Sequence, residues 1–177
     1  MERITFCGIQ LDWEEFYWGG KFKIPVWKGF QSRSGPYCSP DEDGSSVNSV
    51  NLALASLDEE PHEPHPLQQQ EWNNFKKSQK ELIPMILDRA FIYYKQTRPN
   101  FFSMGPEWVE NMPVLSSSEQ LISMIGLSII HISWPYDDDP VLIGLEFGCD
   151  WDEEHGMGIL LQENKIVKVG MADVAFA

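Results

Sequence analysis

VLIGLEFGCDWDEEHGMGILLQENKIVKV, residues 141–169, carries the pattern that decides the fold. Residues 141–147 are an apolar run of strand length. Residues 159–161 and 166–169 are two more, joined by the turn at 162–165. Three sequential strands follow from this spacing. Between the first and second lies DWDEEH, residues 150–155, where Asp150, Asp152, Glu153 and Glu154 crowd together with Trp151 and His155. Neighbouring like charges repel, so such a cluster serves a metal, a basic partner or only a solvated turn. Gly148, Gly156 and Gly158 permit bulges around a hairpin. Trp151 can cover the hairpin end and His155 can hold the turn, which leaves the acids outward as a rigid negative knob.

Working toward the N-terminus, residues 127–134 read as another strand and Asp137, Asp138 and Asp139 as a turn. Ser117 to Gln120 is a capping box for a short helix through Ile125, ended by Gly126. Trp72, Phe75, Leu82, Ile86, Ala90 and Tyr93 recur near the helical period, with Lys76, Lys77 and Lys80 off that face. Pro84 predicts a kink or two abutting helices, and Arg98-Pro99 the end of the run. Pro61, Pro64 and Pro66 make residues 58–66 an exposed linker, His62 and His65 included. Residues 34–46 are a second exposed loop. Residues 47–57 and 21–26 alternate as strands, with Pro25 marking an edge, bulge or strand end. A turn is expected around Gly19 and Gly20. Residues 4–13 read as one strand with a bulge at Gly8. Strands at both ends with helices between them predict a single α+β domain over residues 1–177. Its sheet is mixed or mostly antiparallel, with a long kinked helix and a short helix packed on it.

A chain of 177 residues with 42% hydrophobic content can bury a full core. No secretory signal and no run of about 18 apolar residues is present, so no membrane span is expected. Cys7, Cys38 and Cys149 match no zinc spacing, and Cys7 and Cys149 fall inside predicted strands as buried thiols. These features predict a reduced, cytoplasmic protein. The net charge is −14 and unevenly spread. Residues 99–164 hold no Lys or Arg but twelve acids: Glu107, Glu110, Glu119, Asp137, Asp138, Asp139, Glu146, Asp150, Asp152, Glu153, Glu154 and Glu163. Residues 34–75 also lack Lys and Arg. Such a surface repels nucleic acid and anionic lipid and steers basic partners.

No catalytic set, metal site or cofactor motif is expected. Asp150, Asp152 and Glu154 alternate as in a calcium loop, but the sixth position is His155 rather than glycine and the twelfth is Leu161 rather than a carboxylate. A zinc or iron site at His155, with Asp152 or Cys149, lacks a second histidine at ligand spacing, although His131 could approach across a sheet. An acid–base pair such as Glu146 and Asp152 lacks a nucleophile elbow, phosphate loop or nucleotide fingerprint beside it. A metal-dependent or acid–base enzyme using Asp150, Asp152 and His155 is the alternative, and a structural or adaptor module a third.

The signature at residues 147–159, followed by GMADVAF at 170–176, resembles the C-terminal pattern of uncharacterised bacterial domain-of-unknown-function families: C-x-W-D-x-E-H-G-x-G, then G-x-A-D-x-A. The loop GFQSRSGPY at 29–37 and the helix end at Tyr93-Tyr94 are similar to the same group. Domains of this kind resemble those encoded beside polymorphic toxins and secretion-system effectors, where small acidic proteins act as immunity proteins. The resemblance implies an inhibitor that occludes a cognate toxin with a basic face. The expected contact residues are Asp137, Asp138, Asp139, Asp150, Trp151, Asp152, Glu153 and Glu154, with Trp134 and Tyr136 as further apolar anchors.

Overall fold

The computed structural model describes residues 2–33, 38–105, 111–137 and 139–176. Eight strands form one sheet in chain order: β1 (Arg3–Phe6), β2 (Ile9–Trp13), β3 (Tyr17–Lys23), β4 (Ser49–Ala55), β5 (Ile125–Ile132), β6 (Leu142–Cys149), β7 (Asp152–Gln162) and β8 (Lys165–Gly170). Neighbours are antiparallel except β4 and β5, which run parallel. A parallel pair cannot be closed by a hairpin, because the chain must first return to the end of the sheet where it began. Here α1 (Pro66–Met104, 39 residues) makes that return. The molecule is therefore two antiparallel meanders joined by one helical crossover, an α+β domain as its sequence predicts.

Helix α1 buries Gln68, Trp72, Phe75, Gln79, Leu82, Ile86, Ala90 and Tyr94, a stripe spaced by threes and fours. Tyr94 rather than Tyr93 is the fully buried member near the end. The stripe packs on the inner face of the sheet, where Leu52, Leu54, Ile130, Leu145, Phe147 and Ile159 complete the core. Trp72 meets Phe22 edge-on at 4.9 Å and stacks on Phe75 at 5.7 Å. Trp27 packs on Phe147 and donates from Nε1 to Gln79 Oε1 at 2.9 Å. Gln68 fixes the start of the crossover. Its Nε2 donates to the carbonyls of Ala55 and Ser133, at the ends of β4 and β5, and its Oε1 accepts the His65 N–H. One amide thus caps the helix and ties it to both parallel strands.

The sequence expectations shift at several boundaries. The helix continues past Pro84 and Pro99 instead of dividing or stopping. Each proline orphans only the carbonyl four residues earlier. Lys80, Pro84, Lys95 and Pro99 all lie on the exposed side, where water replaces the missing donor. Residues 4–13 are a hairpin rather than one bulged strand. Cys7 (φ 48°) and Gly8 (φ 86°) form its two-residue turn, so Cys7 is half-buried at a turn and not inside a strand. Gly19 and Gly20 sit within β3, and the turn falls earlier, at Glu15 (φ 69°). Pro25 opens a 3-10 turn, Pro25–Trp27, after β3 has ended. The Ser117 capping box is present, but it starts a 3-10 turn, Ser118–Ser123, that leads into β5. Trp18, Trp27, Trp72 and Trp151 are buried, Trp13 and Trp134 are half-buried, and Trp108 lies outside the described residues.

The outer face of the sheet is covered differently, by turns instead of a helix. A 3-10 turn, Ala172–Phe176, lies across β6 and β7. Gly144 lets it do so: a Cβ there would stand 1.9 Å from the Ala175 carbonyl oxygen. Gly144→Val should therefore lift the turn and destabilise the domain by about 1–3 kcal/mol, the usual cost of overpacking. Thermal melting checks this. In a chain ending at Met171 the same substitution should cost little beyond the truncation itself, because its clash partner is gone.

Candidate functional site

Arg33, in the connection between β3 and β4, is buried, its side chain 0% exposed. Its Nη2 pairs with the Asp150 carboxylate and donates to the Met124 carbonyl at 3.4 Å, while Nε donates to Gln31 Oε1 at 2.8 Å and Nη1 to the Cys38 carbonyl at 3.1 Å. Gln31 Nε2 donates to both Asp150 oxygens at 3.1 Å. The arginine stem needs a slot in the sheet, and two glycines provide it. Gly126 and Gly148 face each other across β5 and β6, and a Cβ on either would come within 3.1 Å of the Arg33 stem.

Asp150 and Trp151 form the β6–β7 turn, and both are committed to the fold. Trp151 is 2% exposed and meets Tyr94 edge-on at 4.9 Å. The Tyr94 hydroxyl donates to the Pro113 carbonyl at 2.7 Å, and burial pushes its pKa up to about 12. The segments singled out by resemblance thus converge. The loop after β3 grips Asp150, Tyr94 of α1 packs on Trp151, and the C-terminal turn lies on Gly144 of β6.

The remaining acids are displayed by a bulge. From Phe147 to Cys149 the register advances two residues on β6, while on β7 it runs five, from Met157 back to Asp152. The surplus residues 153–155 cannot join the ladder, and Glu153, Glu154 and His155 are exposed. Asp152 is mostly buried and accepts from the His155 N–H at 3.1 Å and its Nδ1 at 3.0 Å. That contact raises the His155 pKa, with the Asp152 charge adding to it. Of Asp150, Asp152 and His155, the last two therefore pair with each other while Asp150 is paired with Arg33. Among the described residues no group of three or more His, Cys, Asp or Glu side chains is placed to hold a metal ion.

Asp137 and Asp139 are exposed in a turn closed by the Asp139 N–H on the Tyr136 carbonyl, 2.9 Å. Asp138 lies outside the described residues. This turn precedes β6 and the 150–155 cluster follows it, so the two acidic groups sit at opposite ends of one strand, roughly 25 Å apart for eight residues. Trp134 is half-buried and edge-on to His65 at 5.5 Å.

A polar row joins the two ends on the outer face. His131 Nε2 donates to Glu146 Oε2 at 2.9 Å, and the Cys38 thiol approaches Glu146 Oε1 at 3.7 Å. No spacing in the sequence announces this set. A one-residue bulge between Leu127 and Ile129 turns His131 toward Glu146, and Cys38 is brought near by the loop after β3, which lies over Gly148 and is tied there through Arg33. The order of groups matters chemically. A carboxylate, not an imidazole, adjoins the thiol. Burial pushes the Cys38 thiol up, and the Glu146 charge raises it further against the opposing contact with Ser128. An elevated thiol pKa works against thiolate attack.

Two clefts flank the row and share Phe176. The first, about 420 Å³, is lined by Phe16, Tyr17, Tyr136, Glu59 and His131 among others. The second, about 470 Å³, takes in Cys38, Glu146, Glu153, Glu154, Asp173 and Met171. Neither has a Lys or Arg in its lining. The outer face is thus a groove, aromatic at the Tyr136 end and acidic at the Glu154 end.

The chain belongs to the family described as a domain of unknown function, DUF6985, whose pattern matches residues 14–176. No curated protein and no solved structure matches it. No helix among the described residues is long and apolar enough to cross a membrane.

Asp150→Ala leaves the Arg33 guanidinium buried without its counter-charge, and should cost about 3 kcal/mol in chemical denaturation. Arg33→Met added to it should recover part of that loss. The His155 pKa, followed by NMR, should lie above the ordinary histidine range and fall toward it in Asp152→Asn. Because the folded value is the raised one, the contribution of this pair is complete at pH below the ordinary histidine pKa. It is lost as pH rises through the folded value.

Proposed function

We propose that this domain binds and neutralises a basic protein partner, and that the partner is a toxin or effector encoded beside it. The observation that carries the reading is the acidic end of the outer groove. Glu153 and Glu154 from the β7 bulge and Asp173 from the C-terminal turn converge on one cleft without a single Lys or Arg in its lining. A buried ion pair, a packed tryptophan and a strand bulge fix the backbone that displays these acids, which favours recognition over mere solubility. The net charge of −14 supports the same direction by steering a positive partner toward the molecule. The toxin setting comes from the resemblance of the signature to domains found beside toxin genes. Inhibition is by occlusion: the groove covers a basic face that the partner needs free. Asp137 and Asp139 extend the negative field at the far end. Asp150, Asp152 and Trp151 act from within, by holding the bulge in shape.

The test uses the product of the gene immediately upstream. Its expression should arrest growth, and co-expression of this protein should restore it. The on-rate between the purified proteins should fall steeply as salt rises from 0.01 M to physiological strength, since the screening length shrinks from about 30 Å to about 8 Å. Glu153→Lys with Glu154→Lys should slow association at least about tenfold and weaken protection. Its melting temperature should be unchanged, because both side chains are exposed. A harmless neighbour, or full protection by the reversed variant with a salt-independent on-rate, overturns the proposal.

A further inference from the structure

Resting on that reading, we infer that the aromatic end of the outer groove is the seat of one arginine side chain of the partner. Among the described residues five aromatic side chains are exposed: Phe16, Tyr17, Phe102, Tyr136 and Phe176. Four of them line the same cleft. The fifth, Phe102, already carries the Arg98 guanidinium at 4.2 Å from its ring centroid. The chain also lays Lys95 over Phe91 at 4.3 Å. No Lys or Arg among the described residues lies over a ring of the cleft, and none is in its lining.

One carboxylate, Glu59, lines the cleft, and three further exposed acids neighbour its rings in sequence: Glu14 and Glu15 precede Phe16, and Asp137 follows Tyr136. Aromatic faces present negative quadrupoles, and the acids add a field of the same sign. An uncharged apolar group would gain from the rings alone, whereas a cation gains from both. Arginine suits the combination better than lysine. Its planar guanidinium stacks on rings, is more weakly hydrated and can meet the Glu59 carboxylate through two parallel donors. His131 closes the floor. Its ring is held by Glu146 on one side and by Phe176, edge-on at 4.8 Å, on the other. The cavity of about 420 Å³ falls in the size range of pockets that enclose a small group.

The full chain is titrated with acetyl-Gly-Arg-Gly-amide and, separately, with the peptide in which citrulline replaces arginine, followed by backbone amide NMR. Citrulline keeps the shape and removes the charge. The arginine peptide should shift the amides of Ala53, Ala55 and Ile129, and the citrulline peptide should bind at least about tenfold more weakly. Tyr136→Ala should lower arginine-peptide affinity about fivefold, while Tyr136→Phe should preserve it. Tyr136 is exposed, so the variant folds; its unchanged amide spectrum away from the cleft verifies this. Equal binding of both peptides would show an apolar pocket with no role for charge, and overturns the inference. So does an absence of shifts, shifts confined to other surfaces, or unchanged affinity in Tyr136→Ala. If these peptides fail while Glu153→Lys with Glu154→Lys still weakens toxin neutralisation, the arginine seat is wrong and the inhibitory function stands.

Discussion

One buried guanidinium organises the outer half of this molecule. Taking Arg33 out of water is costly, and the cost is met only if every donor finds an acceptor and the charge finds a partner. Asp150 supplies the charge; Gln31 and two backbone carbonyls supply the rest. To reach them the side chain must lie flat on the sheet, which requires glycine at both Gly126 and Gly148. The same contacts pin the loop after β3 against β5 and fix where the β6–β7 turn falls. Once Asp150 is held there, the surplus residues of β7 have nowhere to go but outward. The exposed acids Glu153 and Glu154 are thus a consequence of a buried basic residue some 120 positions earlier in the chain.

The two faces of the sheet solve the burial problem in different ways. The inner face uses one continuous apolar stripe on α1, a long element made necessary by the single parallel pairing of β4 with β5. Among the described residues no α-helix lies on the outer face. It is covered in pieces by the loop after β3 and by the C-terminal turn, and glycines let backbone lie directly on backbone. Partial cover leaves clefts where the pieces do not meet. The groove between them, with Phe176 at its middle and the Cys38–Glu146–His131 row beneath, is the place in the fold where polar and aromatic groups face outward together. Buried framework and displayed charge are therefore interleaved within residues 147–159. Asp150, Trp151 and the glycines build the frame, and Glu153 and Glu154 are what it presents.

Much of this was legible in the chain. The apolar runs in residues 141–169 specify three antiparallel strands, and β6, β7 and β8 are those strands. The stripe from Trp72 to Ala90 specifies the helix, and strands at both ends specify the α+β class. These readings succeed because burial of a periodic apolar face depends on local spacing. Pro84 and Pro99 do not end the helix, since a lost hydrogen bond is costly only where water cannot replace it, and both face water. The first hairpin was hidden because its turn uses Cys7 and Gly8 instead of the Asn-Gly pair that usually marks such turns.

The acidic cluster shows where local reading ends. Sequence alone established that Asp150, Asp152, Glu153 and Glu154 stand together and that cations are missing from the region around them. It could not sort them, because the fate of each acid depends on partners distant in the chain: Arg33 and Gln31 for Asp150, a register slip against β6 for Glu153 and Glu154. Nor could it join His131 to Glu146 and Cys38, which share no spacing: strand pairing with a one-residue bulge brings the first two together, and the loop after β3 lays Cys38 beside them. Composition and periodicity determined the fold class, the helix and the sign of the surface. Tertiary structure decided which charges are paired inside and which are displayed, because desolvation and pairing are properties of the folded neighbourhood and not of the chain.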